Sequence, residues 1–145
     1  MKNLKLILGT FLLVAILSNS CKKEETDSRP QFVGTWTGTV SMIVPGLTPS
    51  NKAESLTIVT GTGNSNQLII TQVGSTVAMT AVTNGNTYKY DEYTQSASLG
   101  DVTVSMKFNG TGTLNGNVLS ESGTVTFTMS GVSYPGTWSS TLNKQ

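Results

Sequence analysis

The sequence contains no histidine and a single cysteine, Cys21. Without histidine there is no Ser-His-Asp or Cys-His nucleophile and no imidazole ligand for a metal. With one cysteine there is no intrachain disulfide and no zinc–thiolate site. The sequence therefore predicts a protein that carries neither a metal nor a cofactor.

Charged side chains are also scarce. They make up 12% of the 145 residues, against about 25% in an average protein, and the formal net charge is only +1. We expect no nucleic-acid partner, because nucleic-acid binding needs clustered positive charge. The acidic residues after residue 30 are Glu54, Asp91, Glu92, Asp101 and Glu121. The first four are expected in loops or at strand ends as solvated charges. No pair has the spacing that carboxylate catalysis requires, so the sequence predicts that this is not an enzyme.

The N-terminus has the pattern of a secretory signal. Lys2 and Lys5 both precede an apolar run, residues 6–17. As a helix this run would rise only about 18 Å, which is short of the ~30 Å hydrocarbon core of a membrane. A positive start, a short apolar run and small residues before a cleavage point are typical of a signal peptide.

The end of this segment, Leu-Ser-Asn-Ser-Cys at residues 17–21, resembles the lipobox of bacterial lipoproteins. The resemblance implies removal of residues 1–20, lipidation of Cys21 with palmitate or a similar acyl chain, and a lipid-anchored place in the outer membrane of the cell envelope. An ordinary secretory signal followed by a free cysteine is the alternative.

Residues 21–30 predict a flexible tether after the anchored cysteine. From Lys22 to Pro30 there is no apolar residue, and the segment has three acids and three bases before the proline. Such a stretch cannot bury surface and stays solvated. Lys23 followed by two glutamates resembles the export signal of surface-exposed lipoproteins. The alternative is that these residues are only a spacer.

From residue 31 onward, apolar and polar residues alternate with a period of two. Phe32, Trp36 and Val40 fall on one face and threonines on the other, and the same alternation recurs to the end of the chain. This period predicts half-buried antiparallel strands, about eight of them. Asn84-Gly85 and Asn115-Gly116 predict hairpin turns. The run 109–112, with Gly110 and Gly112, predicts a kink or bulge.

The first and last strands share a pattern. Gly-Thr-Trp-Thr-Gly-Thr at residues 34–39 is echoed by Gly-Thr-Trp-Ser-Ser-Thr at residues 136–141. Two matching strands could lie side by side and close the sheet, which would remove its edges. We therefore expect a closed antiparallel β-barrel over residues 31–145, with an open β-sandwich as the alternative.

The opening of this domain, Phe32-Val-Gly-Thr-Trp36, resembles the Gly-x-Trp start of the lipocalin and calycin barrels. The resemblance implies a calycin-like barrel with Trp36 at its closed end, beneath a basic residue from the last strand. Lys144 is the basic residue available there. Trp36 and Trp138 are accordingly expected to be structural.

The predicted interior is apolar, so the expected function is the non-catalytic binding of a small apolar ligand. The candidate lining residues are Met79, Tyr88, Tyr90, Met106 and Phe127. A core filled by these same side chains is the alternative for the interior. Two other functions stay open: a surface module that recognises a glycan or a protein through outward-facing tyrosines, and a structural envelope lipoprotein without a ligand.

Overall fold

The computed structural model describes residues 26–46, 48–99 and 102–145, so the predicted signal peptide and Cys21 lie outside the described residues. Within these ranges no helix has both the length and the apolar character needed to cross a membrane. A short 3-10 turn, Arg29–Gln31, leads into nine strands. The strands are β1 (Gly34–Ile43), β2 (Ser50–Thr60), β3 (Gln67–Gln72), β4 (Ala78–Asn84), β5 (Thr87–Tyr90), β6 (Tyr93–Leu99), β7 (Val102–Asn115), β8 (Val118–Met129) and β9 (Val132–Lys144).

The sheet is a closed antiparallel barrel of eight strands with one additional strand. Each strand from β1 to β4 pairs with the next one in the chain, β7 pairs with β8, and β8 pairs with β9. β9 returns to pair with β1, and β5 pairs with β7, which completes the ring. This closure confirms the predicted barrel and excludes the open sandwich, and the echoing segments 34–39 and 136–141 do lie on the neighbouring strands β1 and β9.

The additional strand, β6, continues β5 along the same neighbour. Tyr88 on β5 lies opposite Gly112 and Tyr93 on β6 lies opposite Phe108. Five residues on one strand therefore span four on the other, which is a β-bulge at residues 91–92. β4 pairs with β5 but has no described pairing with β6, so the barrel wall separates there.

The predicted bulge at residues 109–112 is wrong. β7 pairs with β8 in one unbroken register from Val104 to Asn115. The glycines in this run instead lie beneath large side chains that pack against β7.

Tight turns set the registers of the long hairpins. The hairpins β4–β5 and β7–β8 were both predicted, but the asparagine is the last strand residue, and Gly85 and Gly116 open the turns with φ of 60° and 59°. A third turn, Ser130-Gly131, joins β8 to β9 with φ of 51° and 80°. In this third turn φ is positive at both central residues, which is the type I′ geometry that matches the twist of a hairpin.

One end of the barrel is closed by a packed core. Trp36 is fully buried and its Nε1–H donates a hydrogen bond of 2.7 Å to the carbonyl oxygen of Phe32. Lys144, from the last strand, places its Nζ 5.4 Å from the centre of the Trp36 ring. The same ammonium donates to the carbonyl oxygen of Gln31 at 3.1 Å, which ties the 3-10 turn over this end. This is the arrangement that the resemblance to calycin barrels implies for Trp36 and Lys144.

Candidate functional site

The other half of the barrel encloses an open cavity of about 460 Å³. It lies beyond the packed core, where Val40 and Met42 of β1 take the inward positions that Trp36 takes at the closed end. Ligand sites in proteins typically measure about 300–1,000 Å³. The interior is therefore not filled by its own side chains, and the open volume is large enough for one small molecule.

Four of the five predicted lining residues border this cavity: Met79, Tyr90, Met106 and Phe127. The fifth, Tyr88, does not line it. Its side chain is 1% exposed and belongs to the core cluster below the cavity. Because Tyr88 and Tyr90 both point inward, they offer no outward surface on which a glycan could stack.

An aromatic ladder leads from the core to the cavity wall. Tyr88 contacts Phe32 edge-on at 5.2 Å between ring centres and Tyr90 at 5.3 Å, and Tyr90 contacts Trp138 at 6.0 Å. Trp138, expected to be structural, lines the cavity, and its indole N–H donates to the carbonyl oxygen of Asn109 at 3.0 Å. The ladder fixes the cavity floor and one wall.

Two glycines on β7 make room for this ladder. A Cβ at Gly112 would lie 2.6 and 2.7 Å from the two Cε atoms of Tyr88. A Cβ at Gly110 would lie 2.6 Å from Cζ2 of Trp138. The glycines that suggested a bulge are thus the positions over which two large rings lie flat against the sheet.

Glu121 lies at the boundary between the core and the cavity. Its side chain is 3% exposed and accepts hydrogen bonds from the hydroxyls of Tyr88 at 2.5 Å, of Ser140 at 2.5 Å, and of Tyr90. Burial, and then the charge of Glu121, raises the pKa of Tyr88 and of Tyr90 well above their ordinary value. Both phenols therefore stay neutral, and this buried carboxylate has three hydroxyl donors.

Glu54 is the second carboxylate of the cavity, and its position in the fold differs from the predicted one. It was expected as a solvated charge in a loop or at a strand end. β2 instead begins at Ser50, and Glu54 lies two residues before Leu56 on the inward face. Its Oε2 is buried and has no hydrogen-bond partner. Burial, and then the charge of Glu121, raises the pKa of Glu54 from 4.5 to about 7.

The charged side chains that border the cavity, among the residues described, are Lys52, Glu54, Asp91 and Glu121. Asp91, at the bulge, accepts a hydrogen bond of 2.5 Å from the hydroxyl of Thr80. The ammonium of Lys52 forms no ion pair with any described carboxylate. The cavity thus has an apolar wall with an excess of negative groups.

Nothing in the described ranges brings together three histidine, cysteine, aspartate or glutamate side chains in a way that could hold a metal ion. Glu54 and Glu121 are the acidic side chains that share the inner part of the cavity, and among the described residues Oε2 of the first has no donor while the second accepts three hydrogen bonds. The cavity can therefore bind a molecule and offer it one carboxylate.

The geometry defines a closed β-barrel with an internal cavity. No protein-family model matches the chain, and no curated protein is significantly similar to it. Among solved structures, it is similar to a protein of unknown function from the DUF3598 family of Nostoc punctiforme, with a TM-score of 0.50 and 14% identity. The match covers 80% of this chain and 48% of that protein, so the chain spans about half the length of its structural neighbour. The likeness supports the fold and carries no function.

Proposed function

We propose that this protein binds a small, largely apolar molecule in the barrel cavity, without catalysis, while a lipid on Cys21 anchors it in the cell envelope. The observation that carries the binding proposal is the open cavity of about 460 Å³ inside an otherwise packed barrel. An apolar guest that covers the apolar part of the cavity wall removes that surface from water, which favours binding.

The wall chemistry supports an apolar guest. Aliphatic, thioether and aromatic surface comes from three different parts of the barrel: Val40 and Met42 on β1, Val77 just before β4, and Met106 and Phe108 on β7. Methionine side chains adapt to guests of different shape because they are unbranched and polarizable. We therefore expect binding that selects for size and hydrophobicity more than for one exact structure.

The non-catalytic part of the proposal is supported by the state of the polar groups. The hydroxyl of Ser140 donates to Glu121, and no described lysine bonds to it. A serine nucleophile needs an adjacent base that is free to take its proton and to hand it on. Glu121 is instead occupied by three hydroxyls and holds the aromatic ladder in place.

The anchoring part rests on the sequence alone. The lipobox-like residues 17–21 precede the polar segment 22–30. At the end of this segment the side chains of Ser28 and Arg29 donate hydrogen bonds to the hydroxyl of Thr83 and to the carbonyl oxygen of Gly61, so the anchor would be joined to the barrel at this point. Growth with an alkyne-tagged palmitate should label the wild-type protein and leave Cys21→Ser unlabelled. Equal labelling of both proteins would refute the assignment of Cys21 as the lipidated residue.

Binding is tested with N-phenyl-1-naphthylamine, a neutral apolar fluorophore whose emission rises in a dry site. We expect saturable binding of one probe per barrel. Val40→Trp fills the cavity from β1 and should weaken binding at least about tenfold, whereas Val59→Trp, at a position 44% exposed on β2, should bind as the wild type does. Absence of saturable binding, or equal binding by both variants, would overturn the proposal.

A further inference from the structure

Among the residues described, one buried side-chain oxygen at the cavity has no hydrogen-bond partner. Glu121 receives all three of the nearby hydroxyl donors, those of Tyr88, Tyr90 and Ser140. Glu54 shares the cavity with it, but its Oε2 is buried and accepts no hydrogen bond. A buried acceptor without a donor is unfavourable, and a buried carboxylate more so than a neutral group.

The surroundings of Glu54 favour a positively charged donor. Glu121 presents a second carboxylate to the same low-dielectric space, and Asp91 adds a third at the bulge. Lys52 borders the cavity as well, yet its ammonium lies outside ion-pair distance of Glu54. The cavity therefore holds three acids against one described base, and that base does not pair with Glu54.

We propose that the ligand of this cavity carries an ammonium group on its apolar body, and that an N–H of this group donates a hydrogen bond to the carboxylate of Glu54, whose side chain turns to present Oε2 to the cavity. This inference rests on the proposed function, because it assumes that an apolar molecule enters the barrel. It names the chemical class of that molecule: an amphiphilic amine.

The ionisation of Glu54 agrees with this assignment. Its pKa of about 7 means that, in the free protein, the carboxylate is only partly formed at neutral pH. A cation beside it favours the charged form, so binding lowers the pKa and releases a proton. The described titratable groups that border the cavity with Glu54 are Lys52 on the same strand, Tyr90, Asp91, Tyr93 and Glu121. Amine affinity should consequently rise between about pH 6 and pH 8, while the affinity for a neutral analogue stays flat.

The test compares three probes that share one apolar body: n-octylamine, n-octanol and n-octanoate. Each is titrated into the protein by calorimetry, with displacement of N-phenyl-1-naphthylamine as a second readout. At about pH 7.5 we expect octylamine to bind at least about tenfold tighter than octanol, since a hydrogen bond between charged groups is worth roughly that factor. Octanoate should bind least tightly.

Glu54→Gln identifies the residue. It keeps the size of the side chain and removes the charge, so we expect the preference for octylamine over octanol to disappear. Glu92→Gln is the matched control, because Glu92 pairs with Lys107 at 2.8 Å and does not border the cavity. An octylamine preference that persists in Glu54→Gln would overturn the assignment.

The outcomes separate the two proposals. If none of the three probes binds, the apolar site itself is refuted. If all three bind equally, or octanoate binds most tightly through Lys52 or a protonated Glu54, the apolar site stands and the ammonium inference is overturned. If octylamine leads in the wild type and in Glu92→Gln but not in Glu54→Gln, both are supported.

Discussion

Gly112→Ala tests how closely the ring of Tyr88 packs against β7. The added Cβ would lie 2.6 and 2.7 Å from the two Cε atoms of Tyr88, closer than real contacts allow. The ring cannot easily move away. Phe32 and Tyr90 hold it edge-on at 5.2 and 5.3 Å, and its hydroxyl donates to Glu121 at 2.5 Å. Either the strands separate or the ring leaves its position.

The expected loss of stability can be worked from these contacts. Overpacking of a core costs about 1–3 kcal/mol. If the ring tilts to avoid the methyl group, its hydrogen bond to a charged acceptor is lost, which costs about 1.5–3 kcal/mol more. Alanine in place of glycine regains about 0.4–1 kcal/mol from the unfolded chain. The sum is a loss of about 2–5 kcal/mol, which corresponds to a fall in Tm of roughly 10–20 °C for a domain of this size.

Thermal and urea unfolding followed by circular dichroism measure this loss. Thr111→Ala, at the exposed neighbouring position, is the control and should stay within about 0.5 kcal/mol of the wild type. A double-mutant cycle with Tyr88→Leu tests the cause, because the shorter side chain vacates the space. We expect Gly112→Ala to cost at least about 1 kcal/mol less in the Tyr88→Leu background. Strict additivity would refute the steric reasoning.

Three further predictions concern other parts of the barrel. The pKa of Glu54 is raised in the folded state from 4.5 to about 7, so the native protein binds more protons in this window. Its free energy of unfolding should therefore fall by about 1–2 kcal/mol between pH 5 and pH 8, after allowance for solvent screening, and Glu54→Gln should remove that fall in urea titrations. Ser130 has φ of 51°, so Ser130→Gly should raise the free energy of unfolding by about 0.5–1 kcal/mol in the same assay, while Gly131→Ala, at φ of 80°, should lower it. Trp36→Phe removes the donor to the carbonyl oxygen of Phe32 and should cost about 1–3 kcal/mol, and an unchanged urea midpoint would contradict that role.

The fold could be predicted because the period of the side chains reports it directly. Alternation from Phe32 onward identified the strands, and Gly85 and Gly116 identified two hairpins. The bulge at residues 91–92 could not be seen in the same way. It depends on how β5 and β6 divide the length of one neighbouring strand, and that is a property of the closed ring.

The cavity was predicted less completely than the fold. Periodicity put Met79, Tyr90, Met106 and Phe127 on the inward face, where they do border the open volume. It could not show that Tyr88 sits below the floor, because depth along the barrel axis depends on strand tilt and on a missing side chain at Gly112.

The inward positions of Glu54 and Glu121 were not predicted, although the alternation of residues contained a signal for them. Leu119, Glu121 and Val125 share one parity on β8, as Glu54 and Leu56 do on β2. Extending the alternation through these positions puts both acids inside. Composition argued the other way, since charged residues are rarely buried, and that general expectation outweighed the local pattern.

The contrast between these two carboxylates separates a structural group from a binding group by counting donors. Glu121 has three hydroxyl donors, which offset its removal from water and tie β5, β8 and β9 together. Glu54 has a buried acceptor oxygen with no described donor, so its presence at this position lowers the stability of the folded protein. An unfavourable side chain persists in a barrel when something outside the fold compensates for it. The donor that Glu54 lacks is the one that a bound amine would supply, and this is why the cavity and not the core should determine which molecule the protein binds.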